Sequence, residues 1–275
     1  VFDLTLRQLY YQFVSQDLIA NKQSEYKRLG DIVNDARLCG LIDWYSIVDR
    51  TRNLSAYGDS WTDMGEIIDS IKYDFRVNPW EDQDVYVEAW VEKDALVGVL
   101  EKACRERKVN HFSCRGYTSA SEMWRAAQRL ITEIDAGKKV TILHLGDHDP
   151  SGLDMTRDIR DRLTEFGSAH SGYEFIDNFT VDRLALNMDQ IDLYGPPPNP
   201  AKLSDSRAPD YVAEFGYESW ELDALQPSVI SDLVGNAVDA LIDQDKWEAS
   251  EERQAEGREK LETLSEKIKN GELDL

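Results

Sequence analysis

The chain has 275 residues, 41% of them apolar and seven of them Trp, which fits one large or two modest folded domains and excludes a disordered chain. Its net charge of −22 argues against a strong, sequence-independent nucleic-acid binder, and no apolar run nears the ~18 residues of a membrane span. Cys39, Cys104 and Cys114 are odd in number and lack CxxC spacing, so reduced thiols in a cytoplasmic protein are expected and a zinc site is not.

The charge is unevenly spread. Residues 1–54 hold seven Lys/Arg and seven Asp/Glu, so the acidic excess belongs to the rest of the chain. A neutral N-terminal face on an acidic body leaves DNA binding open, provided metal ions and local arginines meet the phosphates.

In chain order, "LTLRQLYYQFVSQDLI" has helical spacing, with Thr5 as N-cap and Leu6, Leu9, Tyr10, Phe13 and Val14 on the apolar side. "SEYKRLGDIVNDARLCGLI" reads as a second helix, capped by Ser24, with Leu29, Ile32, Val33, Ala36 and Leu38 inward and Gly40 as its stop. "DWYSIVDRTRN" alternates like a strand or hairpin edge. Two helices and a wing match a winged helix-turn-helix, and on pattern alone a generic small helical domain is the plainer alternative. An amphipathic helix is expected at "WTDMGEIIDSIKYDF", and Pro79 with "EDQD" marks a boundary.

Strands and helices then alternate. "DVYVEAWV", "VNHFSCRG", "KVTILHLG" and "YEFIDNFTV" read as strands, separated by "DALVGVLEKACRERK", "SASEMWRAAQRLITEIDAG" and "GLDMTRDIRDRLTEFG" as helices. Helical stretches of this length between strands imply βαβ units and a mostly parallel four-stranded sheet, an α/β fold. "YGPPPNPAKLSDSRAPDY" reads as an irregular strap because proline blocks helix and ladder. "WELDALQPSVISDLVGNAVDALIDQ" returns to helical spacing, and the charged tail after it reads as a solvated helix. The expected domains are 1–80, 84–195 and 196–275.

Ligands of open parallel sheets gather at the carboxyl ends of the strands. Glu92 follows one strand there, and Asp147 and Asp149 follow another. Residues two apart in extended chain point the same way, so the aspartates can share one hard cation. A plain turn at Asp149-Pro-Ser-Gly is the alternative. Clustered carboxylates repel, and a bound Mg²⁺ would relieve that.

"VEKDAL", "CRGYTS" and "LGDHDPSGLDM", in that order, resemble a Toprim domain, the metal-binding fold shared by topoisomerases, bacterial primases and several nucleases. The pattern is most similar to the topoisomerase VI A subunit and the meiotic double-strand-break transesterase, in a stand-alone form like those of phages and mobile elements. The resemblance covers roughly residues 4–195 and weakly "WELDAL". It implies that Glu92, Asp147 and Asp149 hold Mg²⁺, with Mn²⁺ as a substitute. "LRQLYYQF" resembles the Arg-x-x-Tyr-Tyr segment of that family's winged-helix domain, which makes Tyr11 the nucleophile and Arg7 its activator. It also implies a DNA partner and a homodimer in which one subunit's tyrosine meets the other's metal site. A separate ATPase subunit is the family's further partner, although no motif here declares a surface for it.

The helical spacing places Tyr10 with Leu6 and Phe13, and Arg7, Tyr11 and Ser15 away from that stripe. An ordinary half-buried Tyr11 beside a surface arginine is the alternative. Lys27, Arg28, Arg37, Arg50 and Arg52 are the candidate phosphate contacts of the first domain, and Arg115 and Lys93 those beside the metal residues. His148 should point away from the aspartates. Glu221 and Asp223 could sit near the metal site, with surface or capping roles the favoured reading. The function expected first is Mg²⁺-dependent DNA cleavage by tyrosine transesterification. Hydrolysis by metal-activated water comes second, and a catalytically silent DNA-binding dimer third.

Overall fold

The protein is described here from a computed structural model that covers residues 4–48 and 64–270. Its elements, in chain order, are α1 (Leu6–Ser15), α2 (Gln23–Leu38), α3 (Met64–Asp74), β1 (Val85–Val91), α4 (Val97–Glu106), β2 (Asn110–Ser113), α5 (Ala120–Asp135) and β3 (Lys139–Leu145). They continue with α6 (Pro150–Ser171), α7 (Tyr173–Asn178), β4 (Phe179–Ala185), α8 (Met188–Tyr194), β5 (Asn199–Pro200), α9 (Ala208–Phe215), β6 (Glu218–Ser219), α10 (Pro227–Asp239) and α11 (Gln244–Lys269). Residues 1–52 and 85–241 form one compact unit, and residues 53–84 and 242–275 form another. This division departs from the three consecutive spans read from the sequence: the N-terminal helices belong with the sheet.

The sheet is parallel throughout, in the order β2-β1-β3-β4. The inner strands β1 and β3 are buried on both faces because helices cover both, whereas the edge strands β2 and β4 are partly polar and exposed. Tyr86, Trp90, Val140, Ile142 and Val181 join Met123, Leu130 and Ile134 of α5 and Ile159 and Leu163 of α6 in one core. On the other face Val87, Ala89, Val91, Leu143 and Leu145 are buried, where α4 packs on β1 and α10 packs on α4 and β4. Glu88 is a charge inside the first core. It accepts from Tyr86 Oη (2.7 Å), Trp90 Nε1 (2.9 Å) and both arms of Arg129 (2.6 and 2.9 Å), which makes its burial tolerable.

Several local expectations are corrected. The run 173–178 is helical rather than the start of the last strand. Gly172, at φ +60°, ends α6 and lets the chain turn, and Phe175 packs where Gly167 leaves no Cβ to block it. Within the proline-rich strap, β5 pairs with β6, and α9 starts with Pro209 in its first turn, where no N–H is needed. Ser24 lies inside α2 rather than capping it. Only Leu29 and Val33 of the expected apolar side are buried there, while Ile32 and Leu38 are exposed.

In the N-terminal segment Thr5 and Gln8 form a reciprocal capping box that starts α1. Tyr10, Tyr11, Val14, Leu29 and Val33 pack together with Ala224. Of the expected hairpin edge, residues 43–48 are turns with one bridge from Ile47 to Leu4, and residues 49–53 lie outside the described residues. In the second unit α3 packs on α11, Trp80 meets Trp247 edge-on, and Gly257 sits against Phe75. The charged tail is a helix as expected, largely exposed, with one side packed on α3.

Candidate metal centre

β1 and β3 are neighbours in register, Val91 opposite Leu145, so their carboxyl ends deliver Glu92 and Asp147 side by side. Glu92 N–H donates to the Leu145 carbonyl (2.9 Å), and the Asp147 N–H donates to Glu92 Oε2 (3.0 Å). Asp149 caps α6, accepting from Gly152 N–H (2.6 Å) and Ser151 Oγ (2.9 Å). The two aspartates therefore diverge. Asp147 turns into the protein at 6% exposure, while Asp149 serves the helix.

Asp147 meets a segment 75 residues further on. His148 and Trp220 exchange both backbone hydrogen bonds (2.8 and 2.9 Å), and Leu222 N–H donates to Asp147 Oδ1 (2.8 Å). His148 itself faces Tyr211, Phe215 and Trp220, with Nδ1 3.0 Å from Tyr211 Oη, so it is no ligand. This stitching carries Glu221 and Asp223 to the loop, which corrects their expected surface or capping roles. Asp223 is fully buried, and oxygens of Asp147, Glu221 and Asp223 lie within 4.8 Å of one another. That triad could hold a metal ion; Glu92 and Asp149 stand outside it.

Two cations face the triad. Lys93 Nζ lies 2.7 Å from Asp147 and 3.3 Å from Asp223, and also pairs with Glu221. Arg7, from α1, reaches Glu221 (2.8 Å) and Asp223 (2.9 Å), where α1 packs on the 3-10 turn Leu222–Ala224. Tyr11 follows one turn on, its ring centroid 5.8 Å from the Arg7 guanidinium carbon. It is as buried as Tyr10, at 5%, which corrects the expectation of an outward-facing residue. Tyr10 Oη donates to Asn21 Oδ1 (3.0 Å), whereas no hydrogen bond from a described residue reaches the Tyr11 hydroxyl. Tyr11 and Arg7 line a cavity of about 180 Å³ with Tyr10, Asn21, Lys22, Gln23 and Tyr26.

The charges set one another. Burial, then Glu221 and Asp223, push the Tyr11 phenol up to about 12 despite Arg7 and Lys93. Burial raises Asp147 against the pull of Lys93, and Glu92, Asp223 and Glu221 raise it further. Asp223 and Glu92 are raised chiefly by burial. For Glu221 burial is overcome by Lys93 and Arg7, and its carboxyl is held down. Burial opposes the charge on Lys93 and Arg7, but the carboxylates around them hold both protonated.

Arg183 of β4 lies under the loop. Its guanidinium donates to the carbonyls of Gly146 (3.2 Å), Asp147 (2.6 Å), Gly152 (2.9 Å) and Leu186 (3.2 Å) and to Thr156 Oγ1 (2.8 Å). Burial lowers its pKa to about 10, and Glu92, Asp147 and Asp149 oppose that shift. Beside it His144 is fully buried, with Nδ1 2.8 Å from Thr156 Oγ1 and Nε2 unpartnered among the described residues. Burial and Arg183 push it down to about 3. The unfolded chain takes up this proton near pH 6.5 and the folded one resists, so stability should fall as pH drops below 6.5. Relative to a His144→Gln variant, urea unfolding should show the wild type losing about 2 kcal/mol between pH 7 and 5. An unchanged difference between the two would mean that His144 protonates in place.

The other sequence-expected contacts are dispersed. Arg37 is turned inward onto the carbonyls of Trp44 and Ile47, where it fixes the turn after α2 instead of offering a phosphate contact. Arg28 is exposed and pairs with Glu25, and Lys27 is exposed. Arg115 is exposed at φ +52° and pairs with Asp94 (3.1 Å). Arg50 and Arg52 lie outside the described residues. Cys104 and Cys114 are buried as expected, Cys39 is exposed, and all three are free thiols.

No protein-family model matches the chain, and neither do curated proteins or solved structures. Among the described residues no helix is long and apolar enough to cross a membrane.

Proposed function

We propose that the protein is a divalent-cation-dependent enzyme that cleaves DNA by transesterification onto Tyr11. The observation that carries this reading is convergence. α1 brings Arg7 and Tyr11 to the carboxylates at the sheet's carboxyl end, from more than 200 residues away along the chain. The "VEKDAL", "CRGYTS" and "LGDHDPSGLDM" resemblance supplies the reaction class.

The donor set suits a hard cation: three carboxylates offer oxygen alone, and their oxygens lie within 4.8 Å of one another, with the buried Asp223 Oδ2 paired to Arg7 Nε at 2.9 Å. Asp147, Glu221 and Asp223 would hold it, with Glu92 fixing the Asp147 backbone. Bound there, Mg²⁺ or Mn²⁺ would supply charge stabilisation for a phosphate oxygen. Arg7 contributes a guanidinium that favours the phenolate of Tyr11 and attracts a phosphate. Attack forms a bond from Tyr11 Oη to phosphorus and breaks a phosphorus–sugar oxygen bond. The phenol proton is lost, and the departing sugar oxygen takes one up. In the resembled family tyrosine and metal residues meet across a dimer. Here both lie in one unit of one chain, so the proposed chemistry needs no second copy to supply the tyrosine.

Burial favours a second reading. A phenol pushed up to about 12 is a reluctant nucleophile, and water would then attack in its place. One reaction separates the two. Supercoiled plasmid incubated with Mg²⁺ or Mn²⁺ and quenched with SDS should yield cut DNA carrying protein, and Tyr11→Phe should lower that yield at least ~100-fold. Free-ended DNA and an unimpaired Tyr11→Phe variant would make the enzyme a hydrolytic nuclease. Intact plasmid with both metals would overturn both readings.

A further inference from the structure

Lys93 stands where the cation would. Its ammonium contacts all three members of the triad, 2.7 Å from Asp147 and 3.3 Å from Asp223, with Glu221 closer still. It is largely buried, with its side chain 19% exposed, so water screens these contacts poorly. Arg7 approaches the same Glu221 and Asp223 but is 46% exposed and leaves Asp147 untouched. Among the described residues, Lys93 alone bridges the whole set.

We infer that Lys93 is a built-in competitor for the metal, so that cation binding and the Lys93–triad contact exclude each other. This rests on the metal-dependent reading above. The charge balance agrees with it. Three carboxylates against Lys93 and Arg7 leave one negative charge among the side chains in contact, and a divalent ion in place of the ammonium removes it. A single positive charge already satisfies most of the triad, so the ion's gain is only the difference between the two occupants. The apo protein thereby keeps its three clustered carboxylates tolerable without metal, and its affinity for metal is lowered. Lys93 lies next in sequence to Glu92, on the segment leading into the 3-10 turn Asp94–Leu96. Once displaced, its four-carbon stem leaves the ammonium free to meet a phosphate at the same edge of the sheet.

The test is Mn²⁺ titration of the full chain by calorimetry, wild type beside Lys93→Met, which keeps the stem and removes the charge. The variant should bind Mn²⁺ at least 10-fold more tightly, and Asp147→Asn should bind none. Acylation of the wild type with an amine-reactive ester, read by mass spectrometry, should label Lys93 several-fold faster at saturating Mn²⁺. That second readout does not depend on how well the variant folds. Measurable Mn²⁺ binding with unchanged Lys93 labelling, or with equal or weaker affinity in a folded Lys93→Met, would overturn the competition and leave the metal site standing. Absence of Mn²⁺ binding in wild type and variant alike would remove the metal reading itself, and the inference with it.

Discussion

Gly152→Ala should lose Mn²⁺ binding by at least ~30-fold and cost about 3 kcal/mol of stability, because its added methyl has nowhere to go. A Cβ there would lie 2.2 Å from the carbonyl oxygen of Asp147 and 3.0 Å from its carbonyl carbon. Both belong to the backbone, so relief requires moving the loop that aims Asp147. The Gly152 N–H is also a donor to the Asp149 cap, so the start of α6 moves with it. Hydrogen exchange over residues 146–152 should speed up in the variant while β1 and α5 keep wild-type protection. Wild-type metal affinity in Gly152→Ala would show that the Asp147 loop yields freely and does not define the centre.

Arg183→Met is the second large effect, at about 3–5 kcal/mol by urea unfolding. The substitution keeps much of the stem and removes a guanidinium that serves four carbonyls and the Thr156 hydroxyl. Those acceptors are then buried beside Glu92, Asp147 and Asp149 with no cation beneath them. Because Arg183 and Gly152 act on the same carbonyls of the loop, the double variant should cost less than the two single losses added together. A loss under about 1 kcal/mol for Arg183→Met would mean that water replaces the guanidinium without difficulty.

The parallel sheet was legible because its strands alternate with helical stretches and the inner ones are short apolar runs, and β1, β2 and β3 lie where that pattern places them. β4 was offset because "YEFIDNF" has the aromatic content of a strand, while a positive-φ glycine and the notch at Gly167 make its first half a helix. Of the acidic triad, Asp147 was reached through its strand end, as was Glu92, which lies beside the triad and not in it. Glu221 and Asp223 were undervalued, although "ELD" repeats the i, i+2 spacing of "DHD", because the His148–Trp220 bridge and the Leu222–Asp147 hydrogen bond turn that segment inward. A backbone bridge between residues 72 apart leaves no mark in local sequence. Arg183 carried no signal either, since a lone arginine in a strand ordinarily reads as a surface residue. Tyr11 was placed outward by helical periodicity, which cannot register that the 3-10 turn at Leu222–Ala224 covers the other side of α1.

The Arg7–Glu221 pair joins residues 214 apart. Chain synthesis runs from one end to the other, so the sheet, α5 and α6 leave the ribosome well before the "ELD" segment exists. Until then Lys93 and Asp147 have only each other, Arg7 has no carboxylate to reach, and Tyr11 lacks the turn that covers it. The centre is thus among the last parts of its unit to be completed during translation. A nascent or C-terminally truncated chain ending before Trp220 would present the sheet with an acidic loop that lacks two of its three clustered carboxylates.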